Sequence, residues 1–116
     1  MSEIRAELIT SSDLEEGVSQ AFVINGWPIL LCRNDGQIYA LLNRCSHQAS
    51  PLVGGRVRRG AISCPLHGTR FRLDTGRCMG GMDYDDLRTF PVSENDKGMI
   101  EVLVPDEQPG VRERPV

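Results

Sequence analysis

Cys45-Ser46-His47 and Cys64-Pro65-Leu66-His67-Gly68, sixteen residues apart, decide how this chain is read. Each half offers one thiolate and one imidazole from a short, turn-rich loop, and the chain's two histidines both fall here. Two Cys and two His make a four-ligand set for a transition metal or an iron–sulfur cluster. Structural zinc is the commonest use of such residues, but it favours C-x₂₋₄-C and H-x₃₋₅-H pairs around a tetrahedron. Here each pair is mixed, and a single residue separates the first. One Cys and one His per loop suit a 2Fe–2S rhomb better, with the cysteines on one iron and the histidines on the other.

The flanking chain has the length of one domain, 116 residues. A net charge of −3 and a pI near 5.3 argue against general nucleic-acid binding, which wants a basic face. The first twenty residues show no basic start and apolar run of a secretory signal. No apolar stretch approaches the ~18 residues that span a bilayer. The expectation is a cytoplasmic protein with reduced thiols and no membrane partner.

Ile4, Ala6 and Leu8 alternate with Arg5, Glu7 and Ile9 as in a half-buried strand. Ser12-Asp13-Leu14-Glu15 has capping-box spacing and Gly17 is a ready stop, so one helical turn is predicted. Its acids, Asp13, Glu15 and Glu16, read as a solvated face. Asn25-Gly26 and Asn34-Asp35-Gly36 punctuate the apolar runs 21–24, 28–32 and 37–42 into a three-strand meander. Within it Cys32 reads as a small buried hydrophobe rather than a ligand. Trp27 reads as core or near-core packing, with a surface role as the alternative.

Residues 43–55 lack periodicity and form a loop. Short strands follow at 56–58 and 61–63, joined at Arg59-Gly60, and Arg70 to Leu73 alternate. Met79-Gly80-Gly81-Met82 and Asp83-Tyr84-Asp85-Asp86 read as a flexible connection. The last strands are 87–92, with Pro91 restricting the first to an edge or bulge, and 99–104. The tail, 105–116, holds three prolines and five charges and should be extended along the surface or disordered. Nine or ten short strands predict an all-β sandwich or barrel, with the ligand loops as an insertion on it.

On that frame the double motif Cys45-x-His47 and Cys64-x-x-His67-Gly68 resembles the Rieske family. More narrowly, the chain resembles the Rieske-type ferredoxins of bacterial aromatic-ring-hydroxylating dioxygenase systems, from the first strand to Val104. The resemblance implies a Rieske 2Fe–2S domain over 1–104: an antiparallel sandwich or barrel whose cluster-binding subdomain covers about 43–78. It implies one 2Fe–2S cluster, with Cys45 and Cys64 on the inner iron and His47 and His67 on the outer. Neutral imidazoles in place of two thiolates make the cluster less negative, and its potential rises above that of a four-Cys ferredoxin. The implied function is a monomeric single-electron carrier, not an enzyme. Its partners would be a flavin-containing NAD(P)H ferredoxin reductase and a terminal aromatic-ring dioxygenase. An oxygenase would need a second iron on two histidines and a carboxylate, and both histidines are committed. The rivals are the small Rieske-like subunit of an assimilatory nitrite reductase and a zinc-stabilised interaction module.

Two other features bear on the site. Arg44, Arg56, Arg58, Arg59, Arg70, Arg72 and Arg77 surround it against one acid, Asp74. They are either solvated strand faces or a basic collar that steers docking to acidic partners. Met79 and Met82 either edge that surface or fill loop gaps. Cys78 has no partner at motif spacing and reads as a thiol outside the ligand set. A disulfide with Cys32 is disfavoured in the cytoplasm.

High-potential respiratory members of the family carry an extra Cys in each ligand loop, forming a disulfide clamp. None stands at Gln48 to Pro51 or at Leu66. Those members also place a Ser and a Tyr hydroxyl on sulfur, where Thr69 and Phe71 stand here. Phe71 cannot donate, and fewer donors to sulfur lower the potential. Protein-film voltammetry should therefore give a midpoint at the low end of the Rieske range, about −150 mV; a midpoint well above zero would contradict this.

Overall fold

The computed structural model describes residues 2–46, 48–79 and 85–116. His47, and Gly80, Gly81, Met82, Asp83 and Tyr84 of the connection, lie outside the described residues. Apart from one 3₁₀ turn, the elements are strands: β1 (Glu3–Thr10), β2 (Ser19–Ile24), β3 (Trp27–Asn34), β4 (Gln37–Leu42), β5 (Val57–Arg58), β6 (Ala61–Ser63), β7 (Arg70–Arg72), β8 (Cys78–Met79), β9 (Val92–Glu94) and β10 (Met99–Pro105). They form three antiparallel sheets, ordered β1-β10-β9, β2-β3-β4 and β5-β6-β7-β8, which is the all-β architecture the strand pattern predicts.

Tight turns create this meander. Asn25 and Gly26 have φ of 51° and 83°, and Asp35 and Gly36 have 52° and 78°. Two successive positive φ values are what a two-residue type I′ hairpin requires, and its twist matches the strands it joins.

Strand β3 is buried from Trp27 to Cys32 because both of its faces are covered. Successive strand side chains point to opposite faces. Trp27, Ile29 and Leu31 meet Ile100, Val102 and Val104 of β10 in one core. Leu30 and Cys32, with Leu41 of β4, face a second core containing Leu52, Ile62, Phe71, Cys45 and Cys64. The middle sheet thus separates the outer sheet from the subdomain of the ligand loops.

Three local expectations change. The helical turn is a 3₁₀ turn at Ser11–Asp13 whose N-cap, Thr10, makes no side-chain cap hydrogen bond, so the capping-box spacing is unused. Tertiary contacts override it: Ser11 N donates to Gly98 O at 2.8 Å, and Glu16 is drawn to the β3–β4 turn. The strand predicted over 87–92 is only a bridge, Leu41 to Thr89, until β9 begins at Val92. Pro91 has no N–H to continue a ladder, and there the chain leaves β4 for the edge beside β10. Finally, Cys78 and Met79, the latter read as connection, pair with β7 as β8.

Beyond β10 the chain runs along the surface. Trp27 Nε1 donates to Glu107 O at 3.0 Å, and Asn25 Nδ2 donates to the carbonyls of Pro105 and Asp106, each at 3.0 Å. Arg44 Nη1 donates to the carbonyls of Val111 and Arg114. Trp27 itself is 2% exposed, edge-on to Phe90 and under the Arg88 guanidinium, so it is core packing. Among the described residues, no helix is long and apolar enough to cross a membrane.

The Glu16 carboxylate accepts Asp35 N at 2.7 Å and Gly36 N at 3.0 Å. These bonds, that from Gly36 foremost, hold its pKa below the ordinary 4.5. A depressed folded pKa adds stability that is fully present above the unfolded value and is lost as pH falls through the folded one. Glu16→Gln should therefore be less stable than the parent in urea unfolding at pH 7. The difference should shrink below pH 4.5 and disappear once Glu16 is protonated in the fold.

Candidate metal centre

The two ligand loops are closed in the same way. Cys45 N donates to Ser50 O at 2.8 Å, and Cys64 N donates to Thr69 O at 2.7 Å, each five residues on. The first loop is anchored by Asn43, buried at the end of β4, whose Oδ1 accepts Leu52 N at 2.8 Å and Val53 N at 2.9 Å. The second loop joins β6 to β7 and turns back at Gly68, whose φ is 72° and whose N–H reaches Cys64 O at 2.9 Å.

This brings the two cysteines together from separate loops. Cys45 is 1% and Cys64 2% exposed. Burial pushes the Cys64 thiol up, but the N–H groups of Leu66 and His67, the Ser50 hydroxyl and Cys45 outweigh it. The net effect holds Cys64 below the ordinary thiol value of 9.0. A sulfur met by backbone N–H groups is prepared to be negative, as metal ligation requires. Ser50 Oγ lies 3.7 Å from Cys64 Sγ.

His67 is exposed at the loop tip beside Leu66, itself 65% exposed. Its Nε2 is hydrogen-bonded to Gln48 Oε1 of the first loop. The fourth predicted ligand, His47, lies outside the described residues. Among the described residues, no three His, Cys, Asp or Glu side chains gather as a site for a single metal ion.

Cys32 belongs to the same apolar core as the two sulfurs, and burial pushes its thiol up to about 12, the condition of an inert core residue. Cys78 is half-buried in β8, and its N–H donates to Asp86 Oδ1 at 3.0 Å. Among the described residues, which include all four cysteines, none is in a disulfide. Phe71 is fully buried.

Sequence reasoning missed Ser50, Gln48 and Asn43. Ser50 and Gln48 stood in the segment searched only for cysteine. A hydroxyl and an amide within reach of the opposite loop were the available signals. Asn43, the first residue of the aperiodic loop after an apolar strand, had the usual signature of a side chain that replaces backbone partners.

The Rieske [2Fe-2S] domain profile matches residues 5–91. The chain is 35% identical, over 91 residues, to the ferredoxin component of the naphthalene 1,2-dioxygenase/salicylate 5-hydroxylase systems of Ralstonia sp, covering 78% of this chain and 88% of that one. It is 33% identical over 89 residues to apoptosis-inducing factor 3 of Mus musculus, 77% of this chain but 15% of that much longer protein. Among solved structures, the ferredoxin of carbazole 1,9a-dioxygenase from Nocardioides aromaticivorans IC177 superposes with a TM-score of 0.78 at 28% identity, covering 87% and 97% of the two chains. A chain of the complex of reduced oxygenase and oxidized ferredoxin in carbazole 1,9a-dioxygenase gives 0.79 at 25%, covering 91% and 96%. A chain described as an NADH-dependent nitrite reductase small subunit from Mycobacterium tuberculosis gives 0.80 at 20% identity over 89% and 96%, a likeness of fold alone.

Gly55 locks the two loops together. A Cβ there would lie 2.0 Å from Ser63 O, the backbone just before Cys64. Gly55→Ala should cost roughly 1–3 kcal/mol in urea unfolding, because the displaced atom is main chain. Gly110→Ala, with open space around its Cβ position, should leave stability unchanged.

Proposed function

This chain belongs to the Rieske [2Fe-2S] domain family, and from that premise we propose that it is a single-electron carrier of an aromatic-ring dioxygenase system. It would take electrons from a flavin-containing NAD(P)H ferredoxin reductase and pass them to the terminal dioxygenase. One observation carries the reading: this chain spans 88% of a dioxygenase-system ferredoxin component at 35% identity. A relative whose whole length is little more than the cluster domain supplies electrons and leaves substrate chemistry to another protein.

The cofactor is one Rieske 2Fe–2S cluster, which when bound takes up and returns one electron at a time. The donor chemistry fits it. We assign Cys45 and Cys64 to the inner iron, and His47 and His67 to the outer one. The cysteines keep water from the buried side, since neither is more than 2% exposed. His67, exposed at its loop tip, offers the short way out to a partner. Gln48 holds the His67 ring by Nε2, the type of outer contact that fixes a ligating imidazole's tautomer and orientation. Ser50 supplies a hydroxyl for the Cys64 sulfur from the first loop, partly replacing the donor that Phe71 cannot be. We further propose that the carrier works as a monomer in the cytoplasm.

The nitrite reductase reading shares the fold, and the dioxygenase reading is preferred because it also shares sequence at 35%. The purified protein should be coloured, and after dithionite reduction its EPR spectrum should show an average g value below that of a four-Cys cluster. With NADH, a ferredoxin reductase and a terminal aromatic-ring dioxygenase it should support product formation, and with any one protein omitted it should support none. A colourless protein lacking acid-labile sulfide would overturn the cluster assignment, and a coloured protein that cannot couple the two enzymes would overturn the carrier role.

A further inference from the structure

Of the seven arginines around the ligand loops, two have structural duties. Arg72 grips Asp74 through Nε at 3.0 Å and Nη2 at 2.9 Å. Arg44 holds the carbonyls of Val111 and Arg114. Four others, Arg56, Arg58, Arg59 and Arg70, wall a single concavity of ≈ 200 Å³ with Ser63. All four are exposed, and no carboxylate lines the concavity. Among the described residues, none of the four is in an ion pair.

Their placement is specific. Arg58 ends β5, Arg70 starts β7 opposite Ser63, and Ser63 directly precedes Cys64. The concavity therefore sits at the base of the second ligand loop, whose tip exposes Leu66 and His67. Residues 43–78 carry a formal charge of +6, while the whole chain carries −3. Four unpaired guanidinium groups repel one another, so folding alone gives no reason to gather them.

Arg59 adds an independent observation. It occupies the first central position of the β5–β6 turn with φ 53°, where the other two hairpins of this kind have Asn25 and Asp35. A long side chain in the left-handed region costs roughly 1–2 kcal/mol, which an Asn or Gly would largely avoid. Strain kept at a site where a better turn former exists points to function.

We infer that Arg56, Arg58, Arg59 and Arg70 form the docking surface for a carboxylate-rich face of a redox partner. The guanidinium groups supply paired donors for carboxylates, and the exposed Leu66 and His67 beside them are brought to the contact. This deepens the electron-carrier reading and rests on it. Steering by these charges acts against the protein's own net charge, so it depends on where the positive residues are and not on their total number.

The test uses the full, cluster-loaded chain, first checked for its visible spectrum, and a fluorescent octaglutamate peptide read by anisotropy. Low ionic strength, where the Debye length is about 30 Å, is compared with 0.15 M salt, where it is about 8 Å. The parent should bind the peptide at low salt and weaken about tenfold at the higher salt. Arg58→Glu/Arg59→Glu and, separately, Arg70→Glu should each weaken low-salt binding about tenfold with an unchanged spectrum. Arg5→Glu/Lys97→Glu, which matches the double variant's charge change away from the concavity, should bind like the parent. Equal losses in the two double variants would overturn the inference in favour of net charge. Displacement of the peptide by stoichiometric inorganic phosphate would overturn it in favour of a small-anion site, and no binding by the spectrally intact parent would also overturn it. A missing cluster spectrum would instead count against the carrier reading.

Discussion

The double burial of β3 is the constraint on which the rest depends. Antiparallel sheets usually show one face to water and alternate accordingly. This one is covered on both, so Trp27 to Cys32 are apolar without interruption. One face closes the sandwich against β10, and the other supports the subdomain that holds Cys45 and Cys64. The ligand loops are tied to the same strand through their backbone as well, since Asn43 N donates to Pro28 O at 2.9 Å. A rigid floor under both sulfurs follows from a strand that cannot shift without disturbing two cores.

Above that floor the site divides labour by depth. The sulfurs lie in the second core, where few waters need reorienting when charge changes. His67 and Leu66 stand at the surface, where a partner can approach. Paired i to i+5 closures of the loops, and contacts from Ser50 and Gln48 of one loop to Cys64 and His67 of the other, make the two loops one unit. The first loop thus positions both ligands of the second.

Most of the frame was legible because turn chemistry is local. Asn25-Gly26 and Asp35-Gly36 announce hairpins by the backbone conformations they tolerate, and the apolar runs beside them read as strands. The ligand spacing was legible for the same reason. What was not legible depends on distant partners. The 3₁₀ turn forms without its box because Ser11 N is taken by the distant Gly98 O, and Glu16 finds the N–H groups of Asp35 and Gly36 nineteen and twenty residues on. Pro91 signalled an edge, but not that the chain would change sheets there. The hydroxyl near sulfur was sought at Thr69 and Phe71 in the second loop, while Ser50 supplies one from the first. A composition rich in proline and charge does not reveal that residues 105–114 fasten to Asn25, Trp27 and Arg44.

A strand that is apolar on both faces loses the usual safeguard of its register. In a one-faced strand, a slip by one residue turns polar groups inward and is rejected. In β3 the same slip would exchange Trp27, Ile29 and Leu31 for Pro28, Leu30 and Cys32, greasy for greasy, so only shape would object. The stops lie at the ends. A slipped alignment would move positive φ off Asn25-Gly26 and Asp35-Gly36 and onto residues such as Trp27, a bulky side chain poorly suited to it. These four turn residues, far in sequence from Cys64, act as the index marks that set which face of β3 the cluster end rests upon.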